Sequence, residues 1–121
     1  MFLNKNLHFI NRFLKLLIII FFFLINKKII LKIPFFAKPL VSIIIPVHNN
    51  FKFTYNCISS ILKAENTVPY EILIGNDMST DNTRIIDKYI TNIIVHDNNG
   101  KYNFLKNCNE MTKFSMGKYY F

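Results

Sequence analysis

The chain has 121 residues, which is enough for one modest domain. Hydrophobic residues make up 51% of it, a fraction too high for an intrinsically disordered chain. The net charge of +8 is uneven, because residues 1–40 hold seven Lys or Arg and no acid, whereas residues 41–121 hold eight bases and seven acids. A basic apolar tail on a nearly neutral domain favours a membrane surface, and not nucleic acid, as the partner.

The N-terminal third is dominated by an apolar run from Leu16 to Ile25, with Lys15 before it and Asn26-Lys27-Lys28 after it. A membrane-spanning helix needs about 20 mainly apolar residues, so this run is short for a span. A signal peptide would require a small-residue cleavage pattern, which residues 26–28 lack. A helix lying in the membrane interface is favoured, while a short span, a signal peptide and a helix packed on the domain stay open. We therefore predict that residues 1–39 associate with a membrane surface.

Pro34 and Pro39 mark a stiff connector, and the folded domain is expected to span residues 40–121. Its hydrophobic pattern predicts alternating strands and helices. The predicted strands are Leu40–Ile45, Tyr70–Ile74, Ile93–Val95 and one that starts at Lys118; the predicted helices are 52–64, Asp81–Ile90 and Phe104–Phe114. In the last helix, Phe104, Leu105, Cys108 and Met111 are expected to face inward.

This alternation predicts an α/β fold with a Rossmann-like parallel sheet. Ligands bind to such sheets beyond the carboxyl ends of the strands. Polar clusters follow three of the predicted strands, at residues 46–50, 75–81 and 97–100. The sequence therefore predicts a binding site where these three loops meet.

Two common phosphate-binding motifs are missing from the chain. It has only three glycines, so neither a G-x-G-x-x-G fingerprint nor a P-loop is present. Asp77, just past a buried strand, could accept a hydrogen bond from the N–H of a base or from sugar hydroxyls. Considered alone, Asp77 is better explained by an Asx turn than by ligand binding, and His48 alone suits a turn or surface position.

The two cysteines, Cys57 and Cys108, both lie in predicted helices. A disulfide between them is one interpretation. Free thiols packed as small hydrophobic side chains are the favoured one.

Two separated motifs resemble the family 2 glycosyltransferases, which have a GT-A fold. Residues 41–49 (VSIIIPVHN) resemble the pattern V-S-I-I-I-P-V-Y-N, and residues 71–83 (EILIGNDMSTDNT) resemble E-I-I-I-V-D/N-D-G-S-T-D-x-T. Residues 57–62, 107–109 and 117–119 are similar to later parts of the same pattern. The resemblance covers residues 41–121 in register and identifies the chain as the N-terminal portion of such a domain.

The resemblance implies a nucleotide-diphospho-sugar donor, expected to be UDP-linked, and a glycan or lipid-linked acceptor. Pro46 and His48 would line the base, with His48 where the family usually has Tyr. Asp77 would hold the N–H of the pyrimidine ring, and Lys106 would lie near the diphosphate. Because nucleotide sugars are cytosolic, the resemblance implies that the protein lies at the cytoplasmic face of a membrane. It would be attached peripherally or through a single short anchor.

Two departures from the family pattern stand out. Met78 replaces the usual Gly, which would cost about 1 kcal/mol if that residue needs a positive φ. The family binds Mg²⁺ or Mn²⁺ through acidic residues expected just beyond Phe121, so neither metal ligands nor a catalytic base can be named here. The chain is therefore expected to be a truncated, inactive fragment. The alternative is a non-catalytic membrane-surface or interaction module derived from such an enzyme.

Overall fold

A computed structural model describes residues 14–21, 30–100 and 103–121. Residues 14–21 form a helical segment, all of whose side chains are exposed. The rest of the predicted membrane segment before residue 30, and residues 101–102, lie outside the described residues. Within the described ranges, no helix combines the length and hydropathy needed to cross a membrane.

The domain is built from six strands, two α-helices and a 3-10 segment within the described residues. The strands are β1 (Leu31–Lys32), β2 (Val41–Val47), β3 (Tyr70–Asp77), β4 (Ile90–Thr91), β5 (Ile94–Asn98) and β6 (Tyr119–Tyr120); the helices are α1 (Phe51–Lys63) and α2 (Phe104–Thr112), and the 3-10 segment is Asn82–Lys88. The main sheet has the order β5-β3-β2-β6, and all its pairs are parallel. The predicted Rossmann-like parallel sheet is confirmed.

Side-chain alternation along the strands sorts the sheet residues onto two covered faces. On one face, Ile72 and Ile74 are fully buried against Ile58 of α1 and Ile86 of the 3-10 segment. On the other face, Leu73 is buried beneath α2, whose Met111 is also fully buried. Both faces are therefore covered, and all strands point their carboxyl ends to the same edge, which we call the carboxyl-end rim.

The predicted inward face of α2 is wrong in part. Met111 is buried, but Phe104 and Leu105 are exposed, at 72% and 65%. The inward position is held instead by Asn107, whose side-chain amide donates to the carbonyl oxygen of Gly75 at 2.9 Å. Gly75 makes this approach possible, because a Cβ there would lie 2.0 Å from Asn107 Oδ1. A polar contact to the backbone of β3 therefore overrides hydrophobicity in setting the helix face.

The helix predicted from Asp81 to Ile90 is also corrected. The chain forms a 3-10 segment over Asn82–Lys88, with a kink at Ile85, and Ile90 begins β4. Asp81 caps the segment, since its side chain accepts from the Thr83 N–H. Ile86 remains fully buried and Tyr89 packs against the core, so apolar contacts are kept although the regular helix is lost.

A second, two-stranded parallel sheet pairs β1 with β4, which the sequence did not suggest. Ile33, just after β1, is 1% exposed and belongs to the hydrophobic core. The core therefore extends upstream of residue 40. Both cysteines are free; Cys57 is exposed, so its expected burial is wrong, and Cys108 is half-buried.

Candidate functional site

The carboxyl-end rim brings together the residues that the sequence singled out. Strand register places Pro46 beside Gly75, and Asp77 beside Asn98. Because alternate residues share a face, Pro46, Asp77 and Asn98 all lie on the side of the sheet covered by α2. His48 follows β2 directly at the same rim.

Hydrogen bonds join the loop after β2 to the loop after β3. His48 Nδ1 donates to the backbone carbonyl oxygen of Asp77 at 2.5 Å, which leaves Nε2 as the acceptor in the neutral ring. The Asn49 N–H donates to Ser79 Oγ at 2.7 Å, and the Thr80 N–H donates to Asn49 Oδ1 at 2.7 Å. The two loops therefore form one hydrogen-bonded unit before any ligand arrives.

Backbone conformation explains the asparagines in this unit. Asn49 and Asn50 have φ values of 57° and 61°, a left-handed region that Asn tolerates better than most residues. The Asn50 side chain does not cap α1; Asp81 Oδ2 accepts from the Phe51 N–H at 2.9 Å instead. Hydrogen bonds from Thr83 and from the Phe51 N–H hold the pKa of the Asp81 carboxyl below its usual value.

Met78 has a φ of 50°, so the positive φ on which its predicted conformational cost depends is confirmed. Its side chain is 60% exposed and extends to Gly100, where a Cβ would lie 2.3 Å from the Met78 sulfur. Gly100 also has a positive φ, of 65°. Met78 and Gly100 therefore bring the loops after β3 and β5 into contact, at the expense of a strained methionine backbone.

Two buried polar atoms at the rim have no hydrogen-bond partner among the described residues: Asp77 Oδ1 and Asn98 Nδ2. The two residues are direct register partners on β3 and β5. The Gly100 N–H donates mainly to the backbone carbonyl oxygen of Asn98 at 2.9 Å and more weakly to Asn98 Oδ1 at 3.3 Å, and Asn98 Nδ2 is left as the unused donor. Neighbouring register positions of β3 and β5 therefore each contribute one unused polar atom, an acceptor on Asp77 and a donor on Asn98.

Sequence reasoning missed Asn98. The residue lies in the polar cluster after the third predicted strand, which was a usable signal. Asn is abundant in this chain, so no single Asn stood out by residue type. It is 3% exposed, as are Asn76 and Asn107, and what distinguishes it from them is its register with Asp77 and its unused amide donor.

Pro46 and Lys106 occupy different parts of the site. Pro46 has no N–H and therefore cannot donate a hydrogen bond from its backbone. Two residues earlier, the Ile44 N–H points away from β3 and donates to the backbone carbonyl oxygen of Phe121. Lys106 lies in the first turn of α2, where its backbone N–H donates to Asn103 Oδ1 at 2.9 Å. Its side chain is exposed and bonds neither His48 nor Asp77 within the described part of the chain. Roles in nucleotide binding for Pro46, His48, Asp77 and Lys106 remain predictions.

An open cavity of about 270 Å³ lies at the same rim, between the ends of β3 and β5. Its walls are Asn76, Met78, Ser79, Arg84, Asp97, Asn98 and Asn99. Asn76 Nδ2 donates to Asp97 Oδ1 at 2.6 Å, which fixes one wall. Asn98 therefore lines this cavity and is also the register partner of Asp77.

The acidic residues of the rim do not form a metal site. In residues 14–21, 30–100 and 103–121, no three His, Cys, Asp or Glu side chains are grouped closely enough to hold a metal ion. Asp81 is committed to capping α1 and the 3-10 segment, and Asp97 accepts from Asn76. Among the described residues, the acids of the rim therefore offer no ligand set that fits the divalent metal implied by the resemblance.

Comparison with known proteins agrees with the geometry of the fold. A search of curated proteins finds no match to the chain. The model of the family described as "Glycosyl transferase family 2" matches residues 42–121, which include the rim loops and the main sheet except for the first residue of β2. The chain belongs to the family 2 glycosyltransferases.

Proposed function

We propose that the carboxyl-end rim binds the nucleoside diphosphate of a sugar donor, with UDP as the nucleotide, for transfer to a glycan or lipid-linked acceptor. Family 2 members in general act on a nucleotide-sugar donor and an acceptor, and generally use a divalent metal. The observation that carries the proposal for this chain is the unpartnered pair of Asp77 Oδ1 and Asn98 Nδ2.

The chemistry of this pair suits a pyrimidine that carries an N–H next to a carbonyl group. A buried carboxylate oxygen without a donor is costly, and the ring N–H of uracil would supply that donor. The neighbouring carbonyl oxygen of uracil would accept from Asn98 Nδ2. Cytosine has no hydrogen on the corresponding ring nitrogen, so it would leave Asp77 unpaired.

His48 and Pro46 complete the proposed base site. The His48 ring is exposed and held through Nδ1 by the Asp77 carbonyl oxygen. A flat ring fixed in this way can stack on a base, as the usual Tyr would. Lys106, in the first turn of α2 at the same rim, would supply positive charge near the diphosphate.

Calorimetric titration of the full chain with UDP and CDP tests the proposal. Loss of a charge-assisted hydrogen bond corresponds to roughly 10- to 100-fold weaker binding, so Asp77→Ala should weaken UDP binding by that factor. The wild type should prefer UDP over CDP, and Asp77→Ala should remove the preference. Asp87→Ala, an exposed acid in the 3-10 segment, is the matched control and should bind UDP as the wild type does. Equal UDP affinities for wild type and Asp77→Ala would contradict the proposal.

We propose further that residues 1–121 bind the donor without transferring its sugar. In the family the metal neutralises the diphosphate leaving group. The described acids are not grouped to hold one, so no catalytic step is assigned to them. Sugar transfer or donor hydrolysis by the purified chain, above a buffer control with Mg²⁺ or Mn²⁺, would contradict this.

We also propose that residues 1–39 associate with the cytoplasmic face of a membrane. Support comes from residues 14–21, where seven of eight side chains are apolar and all are exposed. An apolar helix without a protein partner is stabilised when a lipid interface covers it. Co-sedimentation with vesicles, lost on deletion of residues 1–29, is the expected result.

A further inference from the structure

The fold gathers a distinct set of residues at the edge opposite the carboxyl-end rim. In a parallel sheet the strands all start at one edge, and the helices that connect them end there. We call this the amino-end edge. Residues 30–40, which link the N-terminal segment to β2, run along it, and we call them the strap.

The strap is bonded to the domain along its length. The Leu31 N–H donates to the Tyr89 carbonyl oxygen at 2.9 Å, and Asn92 Nδ2 donates to the Ile33 carbonyl oxygen at 2.7 Å. At its far end, the Leu40 N–H donates to the Pro69 carbonyl oxygen at 2.8 Å. With Ile33 in the core, the strap has a fixed position on the amino-end edge and is not a free linker.

The outer surface of the strap is apolar and basic. Phe35 is 73% exposed and Ile30 is 47% exposed, and nearby Val68 in the loop before β3 is 41% exposed. Lys32 and Lys38 are exposed between them. The other exposed charges at this edge are Lys63, Lys88, Lys118, Glu65 and Asp87, together with the ion pair of Lys113 and Glu110. Lysines therefore outnumber acids at this edge.

We propose that the amino-end edge lies directly on an anionic lipid bilayer, with Phe35 inserted and Lys32 and Lys38 at the headgroups. This inference rests on the proposed membrane association and adds an orientation to it. Continuity with the apolar segment 14–21 and the positive charge of the edge both select an anionic lipid surface as the partner. Seven residues of β2 separate the two edges, so the nucleotide rim faces away from the bilayer, roughly 20 Å farther out.

A matched pair of tryptophan probes measures this orientation. The chain contains no Trp, so a single introduced Trp reports one position. Phe35 on the strap and Phe53 at the start of α1, near the carboxyl-end rim, are almost equally exposed, at 73% and 75%. Full-length Phe35→Trp and Phe53→Trp are mixed with phosphatidylserine-containing vesicles whose acyl chains carry bromine, a short-range quencher.

The expected result is strong quenching and a blue shift for Phe35→Trp, with little change for Phe53→Trp. Quenching of Phe53→Trp that equals or exceeds that of Phe35→Trp overturns the orientation while leaving membrane association intact. Failure of both variants to co-sediment with the vesicles overturns both ideas. UDP titration of the same variants separates these outcomes from failure of the nucleotide site.

Charge reversal gives a second, independent readout. One basic residue near an anionic surface contributes about fivefold to binding, so Lys32→Glu should weaken vesicle binding by at least that factor. Lys52→Glu, an exposed lysine in the first turn of α1, is the control and should bind within about twofold of wild type. Equal losses of vesicle binding for Lys32→Glu and Lys52→Glu would show that binding depends on total charge and not on which edge faces the bilayer. That result would overturn the proposal.

Discussion

The two edges of the sheet use hydrogen bonds in different ways. At the carboxyl-end rim the loops are joined by partly exposed bonds around Asn49 and Asp81, and several residues there have positive φ. At the amino-end edge the buried carboxylate of Glu71 accepts through Oε1 from Ser42 Oγ at 2.5 Å, Met116 N at 2.5 Å and Gly117 N at 3.0 Å. The rim bonds shape a ligand site, whereas the Glu71 bonds hold β2, β3 and the turn before β6 together. Changes at the amino-end edge should therefore cost stability, and changes at the rim should mainly cost nucleotide binding.

The largest expected effect is at Glu71. Glu71→Ala would leave Ser42 Oγ and Met116 N without their acceptor in a largely buried place, whereas Gly117 N keeps Ser42 Oγ at 2.9 Å. The expected loss in the free energy of unfolding is about 3 kcal/mol. Urea denaturation measures it. Glu65→Ala, an exposed neighbour in sequence, is the control and should change nothing measurable. Equal denaturation midpoints for Glu71→Ala and wild type would contradict the claim that the hydrogen bonds of the amino-end edge stabilise the fold.

A smaller loss is expected where α2 packs on β3. Gly75→Ala would place a Cβ 2.0 Å from Asn107 Oδ1, which should cost about 2 kcal/mol through displacement of α2. Removing the clashing amide in Gly75→Ala/Asn107→Ala should recover part of that loss. If the double mutant is destabilised by the sum of the effects of Gly75→Ala and Asn107→Ala, the close approach of the Asn107 side chain to Gly75 is contradicted.

At the rim, Asn49 separates conformation from bonding. Asn49→Gly keeps a residue suited to φ of 57° but loses the acceptor for the Thr80 N–H, whereas Asn49→Ala loses both. Asn49→Ala should therefore be less stable than Asn49→Gly by about 1 kcal/mol. Both should weaken UDP binding, because the loops are no longer joined. Unchanged UDP affinity in both variants would show that the joined loops do not form the site.

The smallest effect concerns pH. The folded pKa of Asp81 lies below its ordinary value of 3.8, so its ionised form stabilises the folded state. That contribution is complete above the unfolded pKa and is lost as pH falls through the folded pKa. The Tm advantage of wild type over Asp81→Asn should therefore shrink between about pH 6 and about pH 3. A constant advantage across that range would contradict the assigned role of Asp81.

Much of the fold could be predicted from the sequence because strand and helix patterns alternate clearly. The strands predicted at Leu40–Ile45 and Tyr70–Ile74 are observed as adjacent parallel strands over 41–47 and 70–77, which brings His48 to Asp77. Loop positions at the carboxyl ends of strands follow from topology alone. The rim could thus be located before any coordinates were known.

The remaining features depend on contacts that no periodic pattern encodes. Asn107 faces inward because Gly75 exposes a backbone carbonyl group, and hydrophobicity alone would have selected Phe104. The pairing of β1 with β4 joins two-residue strands that are distant in sequence, too short to give a recognisable pattern. Asn98 is identified only by its register with Asp77 and its unused amide donor.

Backbone and side-chain amide NMR during UDP addition compares the two edges in one experiment. Binding at the rim should shift the amide signals of residues 48–49, 76–79 and 97–100, together with the Asn98 side-chain amide, while residues 31–33, 91–93 and 116–117 at the amino-end edge stay unchanged. Shifts confined to the amino-end edge, or no shifts at millimolar UDP, would contradict the assignment of the carboxyl-end rim as the donor site.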